Sequence, residues 1–149
     1  MIDFSKVEIT SMFASDLEEI KPILIEEFDD FWNYEIFREE IVNNNSNYLV
    51  LRYDNEIVCF GGFKKILDEA DIMNIVTKKT KRNIGFAKLI LNELINIAKE
   101  ENLKTITLEV NESNLPAIHL YETFEFKKVG LRKNYYNSNS NAILMTLHL

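Results

Sequence analysis

Two side chains in the stretch TITLEVNESNLPAIHLYETFEF, residues 105–126, have the chemistry of a proton-transfer pair. Glu109 is a carboxylate, which accepts a proton; Tyr121 is a phenol, which with a pKa of ~10 stays protonated at neutral pH and donates one. In Thr105, Ile106, Thr107, Leu108, Glu109 and Val110, period-two alternation puts Ile106, Leu108 and Val110 on one face of a strand and Thr105, Thr107 and Glu109 on the other. Glu109 therefore stands near the strand's C-terminal end, where open α/β sheets hold their ligands. Partial burial there would raise its pKa above ~4.3 and make it a better base. The plainer reading is a rim glutamate that meets water or a nearby lysine. Tyr121 falls one helical turn after Ala117 and Ile118 and one before Phe124, so its plainer reading is an aromatic that packs a helix onto the sheet.

A second signal lies upstream in NIVTKKTKRNIGFAKLIL, where a strand passes through a cationic turn into the longest helix. Such a junction presents unpaired backbone N–H groups and the positive end of the helix dipole, which together bind an anion such as a pyrophosphate. Gly85 lets the backbone approach a ligand, and Ala87 keeps the following position small. Lys78, Lys79, Lys81, Arg82 and Lys88 place five cations within eleven residues of a chain whose formal net charge is -7. That density suits a polyphosphate; the alternative is a solvated basic patch beside a glycine tolerated in the helix.

The elements that position these residues follow from periodicity. Residues 15–27, with Leu17, Ile20, Ile23, Leu24 and Phe28 as an apolar face, and residues 34–42 have helical spacing, ended by the run Asn43 to Asn47. Strands are expected over 48–53 and 56–64, joined by Asp54-Asn55, and over 71–77. The longest helix runs from Arg82 or Asn83 to about residue 101, followed by a strand over 104–110, a helix over 114–124, and strands over 126–135 and 142–148. Asn114, with Ser113 beside it contributing, suits the N-cap of the later helix, where Pro116 is tolerated in the first turn. With 149 residues, 46% of them hydrophobic, one domain spanning 1–149 is expected. The negative charge argues against direct nucleic-acid binding or an anionic membrane surface and favours a cationic ligand. The single cysteine, Cys59, lies in the apolar run Ile57 to Phe60, reads as a core residue, and fits a cytoplasmic protein. No leader or spanning segment is apparent, and the isolated His119 and His148 read as surface or packing residues.

Arg82-x-x-Gly85-x-Ala87 resembles the Q/R-x-x-G-x-G/A signature of the GNAT (GCN5-related) N-acetyltransferases, whose loop cradles the acetyl-CoA pyrophosphate. LEVNESNLPAIHLYETFEF followed by LRKNYY is similar to the L-E-V-R-x-S-N-x-x-A-x-x-L-Y-x-x-x-G-F and R-x-x-Y-Y pattern of that family's bacterial ribosomal-protein alanine N-acetyltransferases, the RimI type, and ILDEADIMNI resembles another of its segments. The likeness covers residues 48–149. It implies a GNAT-like α/β domain: a mixed, mostly antiparallel sheet with helices on both faces and a cofactor cleft between central strands. It implies acetyl-CoA as co-substrate and an acceptor that is a protein N-terminus, the alanine of a ribosomal protein; no metal is expected, since His119 and His148 have no ligand cluster around them. In this reading Ile75, Val76, Thr77, Arg82, Asn83, Ile84, Gly85, Phe86, Ala87, Lys88 and Asn114 bind the cofactor. Glu109 serves as base, Tyr121 as acid to the departing thiolate, and Tyr135 and Tyr136 wall the peptide groove; the protein is expected to be a monomer or weak dimer. Asn111, Glu125 and Lys79 stand where the pattern has arginine, glycine and proline, and the loop after Tyr136 is short. The alternatives are a GNAT enzyme for a small cationic amine or lysine side chain, and a non-catalytic CoA-binding module.

Overall fold

The computed structural model describes residues 1–29, 33–136 and 140–149, with Tyr136 described for its backbone alone. In chain order the elements are β1 (Val7–Ser11), α1 (Ala14–Ile20), α2 (Tyr34–Val42), β2 (Ser46–Tyr53), β3 (Glu56–Ile66), β4 (Glu69–Thr77), α3 (Phe86–Glu100), β5 (Thr105–Asn111), α4 (Leu115–Thr123), β6 (Lys127–Tyr136) and β7 (Ser140–His148). They form one sheet in the order β1-β2-β3-β4-β5-β7-β6. Every pairing is antiparallel except β4 with β5.

That one parallel pairing decides where a ligand can enter. It covers Glu69 with Thr105, Ala70 with Ile106 and Asp71 with Thr107, and stops there. On the other edge of β4, Gly62 pairs with Asn74 and Phe63 with Ile72, which leaves Met73 as the extra residue of a bulge. A bulge bends its strand. Above Asp71, β4 and β5 accordingly part, and β4 continues to Thr77 with its β5-facing edge unpaired.

Helices cover both faces. On one, α3 buries Ile90, Leu91, Leu94 and Ala98 in a core with Leu51, Ile106 and Leu108; Tyr121 of α4 belongs to the same cluster. On the other, Leu17, Ile20, Phe37 and Ile41 pack with Tyr48, Val50 and Phe60. The mixed sheet with helices on both faces is the architecture expected, with three local differences. β1, which pairs with β2, falls in a segment too short and polar to signal a strand. The helix expected over 15–27 is three pieces: α1, a 3-10 turn Lys21–Ile23 and a π turn Leu24–Phe28. Pro22 has no N–H to give to Glu18, whose carbonyl is met instead by the Lys21 amide, yet Leu17, Ile20, Leu24 and Phe28 stay buried. The longest helix begins at Phe86 rather than 82 or 83, because Asn83 (φ 63) and Gly85 (φ 119) are left-handed.

Glu125, in place of the resembled pattern's glycine, adopts φ 70 just past α4. The turn is held by Glu125 N–H to the Glu122 carbonyl and Phe126 N–H to that of Tyr121. Since a non-glycine residue pays about 1–2 kcal/mol for this conformation, part of which glycine returns through its freer unfolded chain, Glu125→Gly should stabilise the fold by up to about 1 kcal/mol. Denaturant unfolding reads this directly.

Candidate active site

The loop between β4 and α3 shapes a groove of about 640 Å³ on the α3 face. Its wall contains Ile75, Val76 and Thr77 from the free end of β4, the whole run from Arg82 to Lys88, and Asn114 and Tyr121 from the start and last turn of α4. Every cofactor residue expected from sequence thus lines one groove. Gly85 is the N-cap of α3. A Cβ added there would meet nothing nearer than Ile2 Cδ1 at 3.6 Å, so the left-handed backbone, not crowding, is what calls for glycine. Beyond it the first amides of α3 have no carbonyl a turn earlier to bond, which is the anion-binding arrangement.

The cations are less uniform than their spacing suggested. Lys81, Arg82 and Lys88 line the groove. Lys78 is committed elsewhere, 2.6 Å from Glu56 and 3.3 Å from Glu27, and the Glu56 contact above all pushes its pKa up. Arg82 lines the groove while acting as a tie: its Nε donates to the Thr77 carbonyl at 3.1 Å and its Nη2 to that of Phe28 at 3.0 Å. It therefore holds the loop to the end of β4 and to the π turn. Asn114 caps α4, its side-chain oxygen accepting from Ala117 N–H at 3.3 Å. Ser113 is not the cap; Asn111 accepts from its amide and hydroxyl in a tight turn.

Tyr121 packs its helix onto the sheet and also faces the groove. It is 8% exposed, its ring lies 5.6 Å from that of Phe126, and it lines the groove. Glu109 does not line that groove. The buried faces of Ile106, Leu108 and Val110 point toward α3, so Glu109 projects from the opposite face of β5, as alternation requires. It lies just past the last β4–β5 pair, in a separate cavity of about 310 Å³. The sheet thus separates the two candidate catalytic groups, and the parting of β4 from β5 opens at their level. Glu109 Oε1 is 2.7 Å from Arg132 Nη2, and the Arg132 guanidinium stacks 4.7 Å over the Tyr135 ring. Tyr135 is half exposed. Tyr136 is placed by its backbone pairing with Ser140; residues 137–139 lie outside the described residues.

Asp71 is a site residue that the sequence does not signal. With the strand expected to begin at 71, Asp71 looked like its first residue; β4 starts at Glu69, which puts Asp71 inside the sheet opposite Thr107. It shares the cavity of Glu109. Burial pushes its pKa above the ordinary carboxylate value, the Thr107 hydroxyl at 3.4 Å pulls partway back, and the charges of Glu109 and Glu69 push up again. A carboxylate whose pKa is raised on folding destabilises the fold wherever it is ionised, and the penalty disappears below its unfolded pKa of ~3.9. Asp71→Asn should therefore melt at a higher temperature than the parent at pH 7, with the gap closing as pH falls toward 4; thermal melts across that range test the sign.

Cys59 is fully buried, its thiol pushed up to about 12 chiefly by burial, so it stays a neutral core group. His119 is exposed on the groove rim and His148 pairs with Thr105 at the sheet's far end. Among the described residues no three His, Cys, Asp or Glu side chains come together as a metal site requires. Nor is any described helix long and apolar enough to cross a membrane.

A strand end, a glycine-capped helix start and a gap between two parallel strands together form a groove with an anion-binding end, and comparison with known proteins gives the family. The chain matches the Acetyltransferase (GNAT) family over residues 13–126 and belongs to it. It is 41% identical over 113 residues to the [ribosomal protein bS18]-alanine N-acetyltransferase of Haemophilus influenzae, covering 72% of this chain and 77% of that protein. Its fold superposes with a TM-score of 0.87 on the crystal structure of the ribosomal-protein-S18-alanine N-acetyltransferase from Escherichia coli, at 27% identity and covering 95% and 93% of the two chains. Arabidopsis thaliana NAA60 in complex with acetyl-CoA shares the fold at a TM-score of 0.84 and 19% identity, with 96% and 98% covered. This chain is an acetyl-CoA-dependent N-acetyltransferase.

Proposed function

We propose that the protein acetylates a protein N-terminal α-amine, with the alanine at the N-terminus of ribosomal protein bS18 as the leading candidate, and that it works in the cytoplasm. The observation that carries this reading is the placement of Glu109 just past the last β4–β5 pair, on the sheet face opposite the Tyr121 groove. Donor and acceptor then approach from opposite faces and meet in the opening.

The acetyl-CoA pyrophosphate lies at the start of α3, against the amides after Gly85 and the charges of Lys81, Arg82 and Lys88. Its pantetheine arm runs along the unpaired edge formed by Ile75, Val76 and Thr77. Asn83, Ile84, Phe86 and Ala87 shape the loop, and Asn114 closes the other wall. The acceptor arrives beside Tyr135 and Tyr136. Its ammonium gives a proton to Glu109; the freed nitrogen lone pair attacks the thioester carbonyl carbon, a C–N bond forms and the C–S bond breaks. The departing sulfur takes the Tyr121 phenolic proton, and the second proton that the nitrogen sheds as it becomes an amide returns through water to the phenolate, so that Tyr121 is restored. An α-amine, with pKa ~7.7–8.0 against ~10.4 for lysine, is the easier nucleophile at neutral pH.

A small cationic amine is the second reading, favoured by the three carboxylates Glu69, Asp71 and Glu109 in one cavity. CoA-thiol release from acetyl-CoA distinguishes the two. A short peptide with a free N-terminal alanine should release thiol, and the same peptide blocked at its N-terminus with an internal lysine should not. Release with polyamines and neither peptide would replace this reading with the second.

A further inference from the structure

Arg132 and Tyr135 are three residues apart on β6, and in a regular strand residues three apart point to opposite faces. Here they meet: the Arg132 guanidinium lies 4.7 Å over the centre of the Tyr135 ring. The strand is interrupted between them. Arg132 pairs with Ala142 and Tyr136 with Ser140, so Lys133, Asn134 and Tyr135 together stand opposite Asn141 alone. Asn134 turns left-handed, φ 52, and such a bulge re-aims the side chains beside it. The bulge is also fastened. Asn141 accepts from the Asn134 amide at 2.9 Å through its side-chain oxygen, and its own backbone and side-chain N–H groups donate to the Glu112 carboxylate, just past β5, at 3.4 and 3.3 Å. The Glu112 amide donates back to the Asn141 carbonyl at 3.0 Å.

The edge of the same guanidinium is on the candidate base. Arg132 Nη2 lies 2.7 Å from Glu109 Oε1, two strands away. Glu109 pairs with Leu144, and Asn111 with Ala142, which pairs in turn with Arg132. The arginine thus starts level with Asn111 and crosses β7 where Ala142 presents only a methyl. Asn111 shares the face of Glu109 and stands where the resembled pattern has arginine, but its side chain turns to the Ser113 amide and hydroxyl. Among the described residues Arg132 is the one cation paired with Glu109, and its side chain is 53% exposed. An ion pair so exposed adds little to stability. What it does is join the base to the ring that walls the acceptor.

We propose that Arg132 is a positioning residue for acetyl transfer, holding Glu109 and Tyr135 at a fixed separation so that an N-terminus lying against the ring brings its nitrogen to the carboxylate. This deepens the functional reading above and rests on it. A planar guanidinium can offer its face to the ring and its edge to the carboxylate together, which the point charge of a lysine cannot. With Oε1 bonded to Arg132, Oε2 is left to take the proton. Arg132 itself touches neither the thioester nor the reacting nitrogen: it acts on the rate through Glu109 and on acceptor binding through Tyr135.

Two double-mutant cycles test this. With the alanine peptide, Arg132→Gln should lower kcat about tenfold, short of the ~10²-fold that a misplacement of about 1 Å can cost. It should raise the peptide KM about threefold, the scale of an exposed cation–π contact, and leave the KM for acetyl-CoA and the melting temperature at their parental values. In a Glu109→Gln background, where no base remains to be positioned, the same substitution should change kcat by less than about twofold. In a Tyr135→Leu background it should leave the peptide KM unchanged. A merely structural role would lower the melting temperature and give losses that add in both backgrounds. Parental kcat in Arg132→Gln, or losses that add in either background, would overturn the positioning role while the parent stays active; a parent that releases no thiol with the alanine peptide sinks the functional reading and this role together.

Discussion

Tyr121→Phe is expected to lower kcat by on the order of 10²-fold or more, the range in which a positioned general acid contributes, while the affinity for acetyl-CoA changes little. The substitution removes a single oxygen. The ring keeps its place, nearly buried and packed 5.6 Å from Phe126, so the groove wall and the helix that carries it should be undisturbed. What is lost is a proton for the departing sulfur, which must then leave as a bare thiolate or draw on water. Equal loss in kcat and kcat/KM for the peptide is the signature of an interaction made only in the transition state. A variant with parental kcat would show that Tyr121 is only the packing aromatic that its spacing first suggested.

Glu109→Gln should lower kcat to a similar extent, about 10²-fold at pH 7, but with a pH dependence that Tyr121→Phe does not share. Glutamine keeps the size of the side chain and an oxygen that can still accept from Arg132, whose Nη2 lies 2.7 Å from the native carboxylate. The arginine stays stacked on Tyr135, and only the base is removed. An acceptor α-amine loses its own proton near pH ~7.7–8.0, so above that range the need for a base falls and the defect should narrow. Initial rates from pH 6.5 to about 9.5 make the comparison, the upper limit being set by the end of α-amine titration. A defect of constant size across that range would mean that Glu109 works through Arg132 and the peptide groove rather than by accepting a proton.

Both expectations draw on residues that were legible before any fold was known. Alternation in residues 105–110 settles the face of Glu109, because a strand's side chains have a period of two and Ile106, Leu108 and Val110 are buried on the other side. Gly85 is legible as a point of close backbone approach, while its place as the left-handed cap, φ 119, that delays the helix to Phe86 is seen only in the fold. The Asn114 cap is legible because its side-chain oxygen serves amides within its own turn. These features depend on neighbours close in sequence. The broken first helix is half visible: the apolar spacing of Leu17, Ile20, Leu24 and Phe28 sets which side chains are buried, while Pro22 breaks the backbone between them.

The order of strands and helices from α2 onward, the turn between β4 and α3 and the face of Glu109 are thus properties of the sequence alone, since each follows from a backbone period or turn preference within a few residues. The partners of those groups are not. That Arg82 ties the loop to Phe28, that Lys78 is spent on Glu27 and Glu56, and that Arg132 reaches Glu109 are contacts between residues far apart in the chain. Asp71 shares a cavity with Glu109 only because the parallel pairing puts it opposite Thr107. The tertiary structure decided these, because strand pairing sets which distant side chains share a face, and a single bulge at Met73 decides where two strands part.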